Sequence, residues 1–466
     1  MNGREYQINW LAQTQTTYHM QASNQQNIQR IISQNNYGYD TMGQRLTNTS
    51  GVQLTNADGS GQVDANSNPI MSSRTENYTY DDLNRLSTVN YGDGQTQSYG
   101  FDPMGNRLQK TDSSTGTTNS VFDSANRLTS TTGTGASTYT SDADGNTLTG
   151  GGRTNTWDSQ NRLVSCVYGS STTTNTYGAD GLRRSSTVNG VTTYYVYDGQ
   201  TLIREMQKNV TTGALFNTAT YLIGPRGPEY RRDDTATELD SQGHTVSKTR
   251  WYVYDGLGSV VGEVDPSGNL TSSPKYDVYG LVRSNSGTAS SKMGFVGGLG
   301  HLSEANTGLI YMKARYYDPA LGRFESQDPG FDGNSWFVYC NNDPTNQVDA
   351  NGRVAGPWGD AAIDLVIKAL WAQFGPSGVD LPDSRTEALD MLIQASKNQM
   401  YASKAAAGAD AVMAADGDAT QNDAQSATGN IEGGSELGKE AVASFTLEQS
   451  EEFQQFIVDM GDIIGS

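Results

Sequence analysis

The sequence predicts a mainly β protein built from repeated hairpins, followed by a helical segment of different texture. Three observations point there. Only 35% of the residues are hydrophobic while 53 are Gly and 25 are Tyr, which suits short strands and tight turns. A short motif, an aromatic residue, Asp, spacers with Gly or Asn, then Arg and Leu, returns at a nearly constant interval. After Gly352 the two-residue alternation gives way to Ala, Asp, Glu and apolar stripes at helical spacing.

In chain order, residues 1–36 are a lead-in with a partial repeat, residues 37–285 carry the hairpins, residues 286–352 form a distinct core segment, and residues 353–466 are the helical end. The copies are YGYDTMGQRLT from residue 37, YTYDDLNRLST from 78, YGFDPMGNRLQ from 99, SVFDSANRLTS from 120, YTSDADGNTLT from 139, NTWDSQNRLVS from 155 and YVYDGQTLIRE from 195. From Asp81 the steps to Asp102, Asp123, Asp142 and Asp158 are 21, 21, 19 and 16 residues; Gly178 then fills the Asp slot 20 later, and Asp198 comes after another 20. A period of ~20 residues accommodates one hairpin, two strands of ~5–8 residues plus turns.

The motif has a local physical meaning. In YTYD, Tyr78 and Tyr80 share one face of a strand, because side chains two residues apart point the same way. Asp81 then opens the turn, where its carboxylate accepts backbone N–H groups, and Asn84, or Gly43 and Gly105 in other copies, supplies a positive φ. Arg85 and Leu86 begin the return strand, Leu86 inward and Arg85 placed for an Asp or an aromatic face. The repeat residues so assigned are Tyr80, Asp81, Arg85, Asp102, Arg107, Asp123, Arg127, Asp158 and Arg162. A lone hairpin cannot bury its apolar face, so successive hairpins are expected to pair edge to edge.

These copies resemble the YD repeats of rearrangement-hotspot (Rhs), insecticidal toxin-complex C and teneurin proteins. The segment GFVGGLGHLSEANTGLIYMKARYYDPALGRFESQDP, residues 294–329, with NSWFVYCNNDPTNQVDANG, residues 334–352, resembles the Rhs-associated core. The resemblance implies a spiralling β-shell or barrel plugged by the core, enclosing the polypeptide downstream. A spiral sheet also hides edges that would otherwise invite aggregation. The resemblance further implies a secreted or cell-surface setting, although MNGREYQINWLAQTQ itself has neither the basic nor the apolar region of a signal peptide; its abrupt start reads as part of a longer chain.

Some members of that family cut themselves after Asn/Asp-Pro, four residues, Asp-Pro, one residue, Gly-Leu, using paired aspartates that share a proton. Here DPTNQVDANGR keeps Asp343, Pro344, Asp349 and Gly352 but has Ala350 for the second Pro and Arg353 for Leu. Asp343 and Asp349 are therefore candidates either for turn formation or for self-cleavage, with Asp328 an outside candidate for the second carboxylate. The two departures predict that the chain remains a single 50.1 kDa polypeptide.

The formal charge of -20 argues against nucleic-acid binding, which needs clustered Lys and Arg. No apolar run of membrane-spanning length occurs, and no cofactor or metal site is apparent; DADGN at 142–146 has its Gly at the fourth position where a calcium loop has its sixth. Cys166 and Cys340 read as buried thiols or as one bridge. Residues 353–466 hold six basic against eighteen acidic side chains, and all three histidines precede them. Within them, Ile363, Val366, Ile367, Leu370, Trp371 and Phe374 fit one helix, Ser384 to Met400 a second and Thr446 to Ile464 a third.

The leading expectation is a non-enzymatic shell or scaffold that encloses or displays its own C-terminal segment, in secretion-linked bacterial competition or surface interaction. A self-cleaving toxin carrier and a carbohydrate-binding adhesin are the alternatives. The expected partners are the C-terminal segment itself and glycans or cell-surface proteins.

Overall fold

The computed structural model describes residues 14–357 apart from the short stretches 24–25, 54–61, 65–67, 69, 225–226, 240–243, 267–268, 290, 331–334 and 354. The chain divides into two compact units, Met1–Ala361 and Ala362–Ser466. The three helices expected after residue 353 lie outside the described residues.

Two antiparallel meanders make up the body. The first has ten strands, from Thr14–Ser23 to Ser137–Thr138, and the second fourteen, from Thr140–Ser141 to Val282–Gly287, each strand pairing with its neighbours in sequence. Most motif turns shift register by one residue at the aromatic position, as between Thr79 and Tyr80 or Gly100 and Phe101. That extra residue is a β-bulge, which strengthens strand twist and curls the sheet. The strand order runs open from end to end in both sheets. Of the expected shell or barrel, the barrel is thus corrected: both large sheets are open.

Instead of closing a ladder, the chain returns on itself through side chains. The Tyr37 hydroxyl accepts the Gly256 N–H at 2.6 Å, Arg283 pairs with Asp93 at 2.9 Å and Lys110 with Asp277 at 2.8 Å. Late strands of the second meander therefore meet early strands of the first.

The core segment lies against both meanders. Its four strands, Leu302–Glu304, Leu309–Met312, Arg315–Asp318 and Arg323–Phe324, form one antiparallel sheet. In Leu309–Met312 every residue is buried, and alternation sorts them: Ile310 and Met312 pack with Leu86, Val89, Tyr99 and Tyr279, whereas Leu309 and Tyr311 pack with Leu163, Tyr195, Leu202 and Tyr221. A strand apolar on both faces belongs between two layers. Each fully buried Leu or Met contributes about 1.5–3 kcal/mol, so the small sheet anchors both meanders. The last described pairing joins Gln347–Asp349 to Ala355–Pro357. Cys166 and Cys340 are both free and buried.

Candidate functional site

Two turn chemistries alternate along the repeats. At Asp81, Oδ1 accepts the N–H groups of Leu83 and Arg85, each at 3.0 Å, and Oδ2 takes Arg85 Nε at 2.7 Å. Asn84 holds φ 62°. The free end of Arg85 crosses to the next hairpin, where Nη1 donates to the Asp102 carbonyl at 2.7 Å and the guanidinium lies 4.9 Å from the Phe101 ring centre. Arg162 repeats this with Asp158, the Gly178 carbonyl at 3.3 Å and the Tyr177 ring at 4.9 Å. Arg127 clamps Asp123 and reaches the Asp142 carbonyl at 3.3 Å, but Ser141 stands where the ring would be.

At Asp102 the loop has the same length but the sequence is slipped by one. Gly105 takes the positive φ of 88°, and Asn106 occupies the position of Arg85, donating Nδ2 to Asp102 Oδ2 at 2.8 Å and to Asn126 Oδ1 at 2.7 Å. Arg107 then falls where Leu86 stands in the other type. It points inward, 4.9 Å from the Tyr279 ring centre, with Nη2 on the Ala320 carbonyl at 2.7 Å. Leu108 is pushed to the outer face, 43% exposed, against 0% for Leu86. A one-residue slip in a strand exchanges its faces, so Arg107 is not equivalent to Arg85.

Arg45 and Arg183 obey the same rule, five residues after Asp40 and Gly178. Arg45 is buried 4.3 Å from the Tyr37 ring centre. Arg183 is fully buried; it binds Glu304 at 2.6 Å and the Tyr316 hydroxyl at 3.0 Å, between the rings of Tyr195 and Tyr311. Arg153, on a third strand, binds Asp318 and, at 2.9 Å, Glu325. Glu304, Asp318 and Glu325 all come from the core segment, so Arg183 and Arg153 dock it onto the repeats. Two further turns of the same build, at Asp255 and Asp277, each accept two N–H groups on Oδ1. Their signal was readable in YVYDGLGS and KYDVYGLVR. At Asp198 the connection is instead a two-residue loop between paired Asp198 and Thr201.

The three core aspartates separate into a pair and a single residue. Arg315 brings Asp328 and Asp349 together, with Nη2 at 3.0 Å from one and 3.2 Å from the other, while its plane covers the Phe324 ring at 3.6 Å. Asp349 Oδ1 also accepts the N–H groups of Gly352 at 2.8 Å and Arg353 at 3.0 Å. Gly352, at φ 77°, sits where an added Cβ would lie 2.3 Å from the Met312 carbonyl, so only glycine fits. Burial opposes the charge on Arg315 and its two carboxylates support it. A cleft beside Trp336, Leu83 and Met104 opens onto this trio, with Arg353 on its wall.

Asp343 lies apart, accepting Thr345 Oγ1 at 3.0 Å and Asn346 Nδ2 at 2.8 Å. Burial raises its carboxyl above the ordinary value. Tyr80 joins that group, donating to the Arg45 carbonyl at 2.6 Å and sharing a hydrogen bond with Thr345 at 2.9 Å. Among the described residues no group of His, Cys, Asp and Glu has metal-site geometry, and no helix is long and apolar enough to cross a membrane.

Curved hairpin meanders anchored on a doubly buried core sheet by inward arginines define a repeat-built β-scaffold. The sequence matches the teneurin YD-shell over residues 3–342; the chain belongs to that family. It is 30% identical over 307 residues to the tRNA3(Ser)-specific nuclease WapA of Bacillus spizizenii, covering 63% of this chain and 12% of that protein. It is 27% identical over 233 residues to the double-stranded DNA deaminase toxin A of Burkholderia cenocepacia, covering 44% and 15%. The TcdB2-TccC3 crystal structure shares the fold at TM-score 0.54 and 19% identity, over 73% of this chain and 19% of that one. The chain thus spans less than a fifth of each of these relatives.

Proposed function

We propose that this chain is a secreted or surface-displayed YD-shell scaffold that holds or presents its own C-terminal segment in bacterial competition, as part of a toxin carrier. The carrying observation is the core segment, which packs on both meanders and whose acidic side chains receive the inward arginines. A scaffold fixed from inside gives the chain that follows residue 353 a defined starting point. The toxin names of the relatives support the setting. Limited proteolysis of the intact protein tests the reading: residues 37–352 should resist cleavage as one block. Cutting within the hairpins as fast as after residue 353 would count against a scaffold.

A second reading, self-processing, is favoured by the convergence of Asp328 and Asp349 beside Arg353. A shared proton is what an aspartate pair needs, whereas here the Arg315 guanidinium stands between the two carboxylates, within 3.0 and 3.2 Å of them. The scaffold reading therefore expects one species of 50.1 kDa in denaturing mass spectrometry. Two fragments joining near residue 353 would move self-processing to first place.

A further inference from the structure

The two meanders meet at an amine and a buried carboxyl. Lys110 stands in the strand Arg107–Asp112 of the first meander, directly opposite buried Tyr99 of the neighbouring strand. Asp277 opens a motif turn of the second meander; its side chain is fully buried, while that of Lys110 is 12% exposed. Lys110 Nζ lies 2.8 Å from Asp277 Oδ2. The Gln97 amide beside them is already engaged. Its Oε1 accepts the hydroxyls of Tyr91 and Tyr99 at 2.7 and 2.6 Å, and its Nε2 donates to Asp112 at 2.6 Å while standing 3.5 Å from Asp277 Oδ2.

This pairing differs in kind from those of the other motif turns. At Asp81, Asp123 and Asp158, Oδ2 faces an arginine of its own loop, and at Asp102 and Asp142 an asparagine. A guanidinium stays protonated and an amide nitrogen is no nucleophile, so those turns can only hydrogen-bond. At Asp277 the partner is a primary amine from the other meander, 167 residues away. The rest of the turn suits attack on that carboxyl. Oδ1 already accepts the N–H groups of Tyr279 at 3.0 Å and Leu281 at 2.9 Å, two donors aimed at the oxygen that takes negative charge when an amine adds to the carbon.

We propose that Lys110 and Asp277 condense into a side-chain amide that ties the two meanders covalently. Lys110 passes one proton to Oδ2 along the 2.8 Å bond, leaving a neutral amine beside a neutral acid, which burial favours by removing both charges. Nζ then bonds to Asp277 Cγ, and Oδ1 takes the electron pair beneath its two N–H donors. A second amine proton moves to Oδ2, the Cγ–Oδ2 bond breaks and water leaves. The step consumes no oxidant and needs no group beyond the two side chains. Holding the reactants in contact supplies an effective concentration of up to ~10⁵–10⁸ M, which drives a condensation that dilute amines and acids do not undergo. This goes beyond the scaffold reading and does not rest on it. Both large sheets are open, and the amide fastens one to the other where no strand ladder does.

The test is the intact mass of the full chain under denaturing conditions, together with tryptic mapping. The wild type should weigh one water less than its sequence, and trypsin should release a branched species joining residues 108–127 to residues 276–283, uncut after Lys110. Lys110→Arg keeps the charge but removes the amine, so its mass should equal its sequence and the branched species should vanish. Asp277→Ala should behave in the same way. Lys275→Arg, two residues before the turn aspartate, should keep both the deficit and the branched species. A wild type at its full sequence mass overturns the proposal whatever the variants do. So does a deficit that persists in Lys110→Arg or maps to another pair of residues.

Discussion

Two arginines of one motif, Arg85 and Arg183, end in opposite environments. Arg85 stands four residues after its Asp and pairs with it at the rim, both side chains partly exposed. Arg183 stands five residues after the turn-opening Gly178 and is fully buried against Glu304. The turns have one length, since Asn84 and Gly181 hold the same positive-φ position; only the sequence has slipped. One residue thus converts a turn clamp into a socket for the core segment. The same repeat builds both the outer surface and the docking face, depending on whether Asn or Gly stands in the fourth place.

The largest expected effect tests the socket. Breaking a buried ion pair from one side leaves an uncompensated charge and costs about 3–5 kcal/mol. Glu304→Ala should therefore lower stability by that amount in chemical denaturation. Arg85→Ala, at the rim, should cost only about 0.2–1 kcal/mol. Replacing Arg183 and Glu304 together by Leu should recover most of the loss, because paired charges contribute little beyond what apolar packing supplies. A double variant as unstable as Glu304→Ala would mean that the sockets are more than paired burial.

The slip also divides the leucines. Leu86→Ala should cost about 2–5 kcal/mol, as a core truncation does, whereas Leu108→Ala should stay within about 0.5 kcal/mol. Equal losses in the two would remove the face exchange on which the comparison rests.

What the sequence told and withheld follows from distance along the chain. The Asp81 clamp was legible because all its partners lie within four residues, and because Asn84 and Gly105 announce the turn. Arg107 was read as a copy of Arg85 because the eye aligns Arg-Leu pairs, while the backbone counts from Asp. The Arg183 to Glu304 pair spans 121 residues, and nothing in either neighbourhood names the other. Likewise the motif at 343–353 suggested Asp343 with Asp349, but Arg315 selects Asp328 as the neighbour. Asp343 is instead held by Thr345 and Asn346 in its own turn.

A smaller effect probes the turn itself. Asp102 Oδ1 accepts the N–H groups of Met104 and Asn106 at 2.9 and 2.8 Å, and an amide oxygen accepts them too. Asp102→Asn should keep most of the stability, whereas Asp102→Leu should lose about 1–2 kcal/mol, like a deleted cap. Equal denaturation midpoints for the two variants would show that turn bonding at this site contributes nothing.

The smallest effect is in pH dependence, where the rim and core aspartates should differ in sign. Partial burial alone would raise the Asp81 carboxyl, but the hydrogen bonds from Arg85 and Leu83 outweigh it and hold it below the ordinary value. Its contribution is present above the unfolded carboxylate value of about 4 and is lost as pH falls through the lowered folded value. Asp343 is the reverse: burial raises its carboxyl, so its contribution is present below the unfolded value and is lost as pH rises through the raised one. Stability measured from pH 7 down to about 3 should show the gap between wild type and Asp81→Asn narrowing with acid. Over the same range Asp343→Asn should gain on wild type as pH rises, since its amide keeps the bonds from Thr345 and Asn346 without the buried charge. Parallel profiles for the two variants would mean that the rim clamp and the core turn hold their aspartates in one electrostatic environment, which their partners argue against.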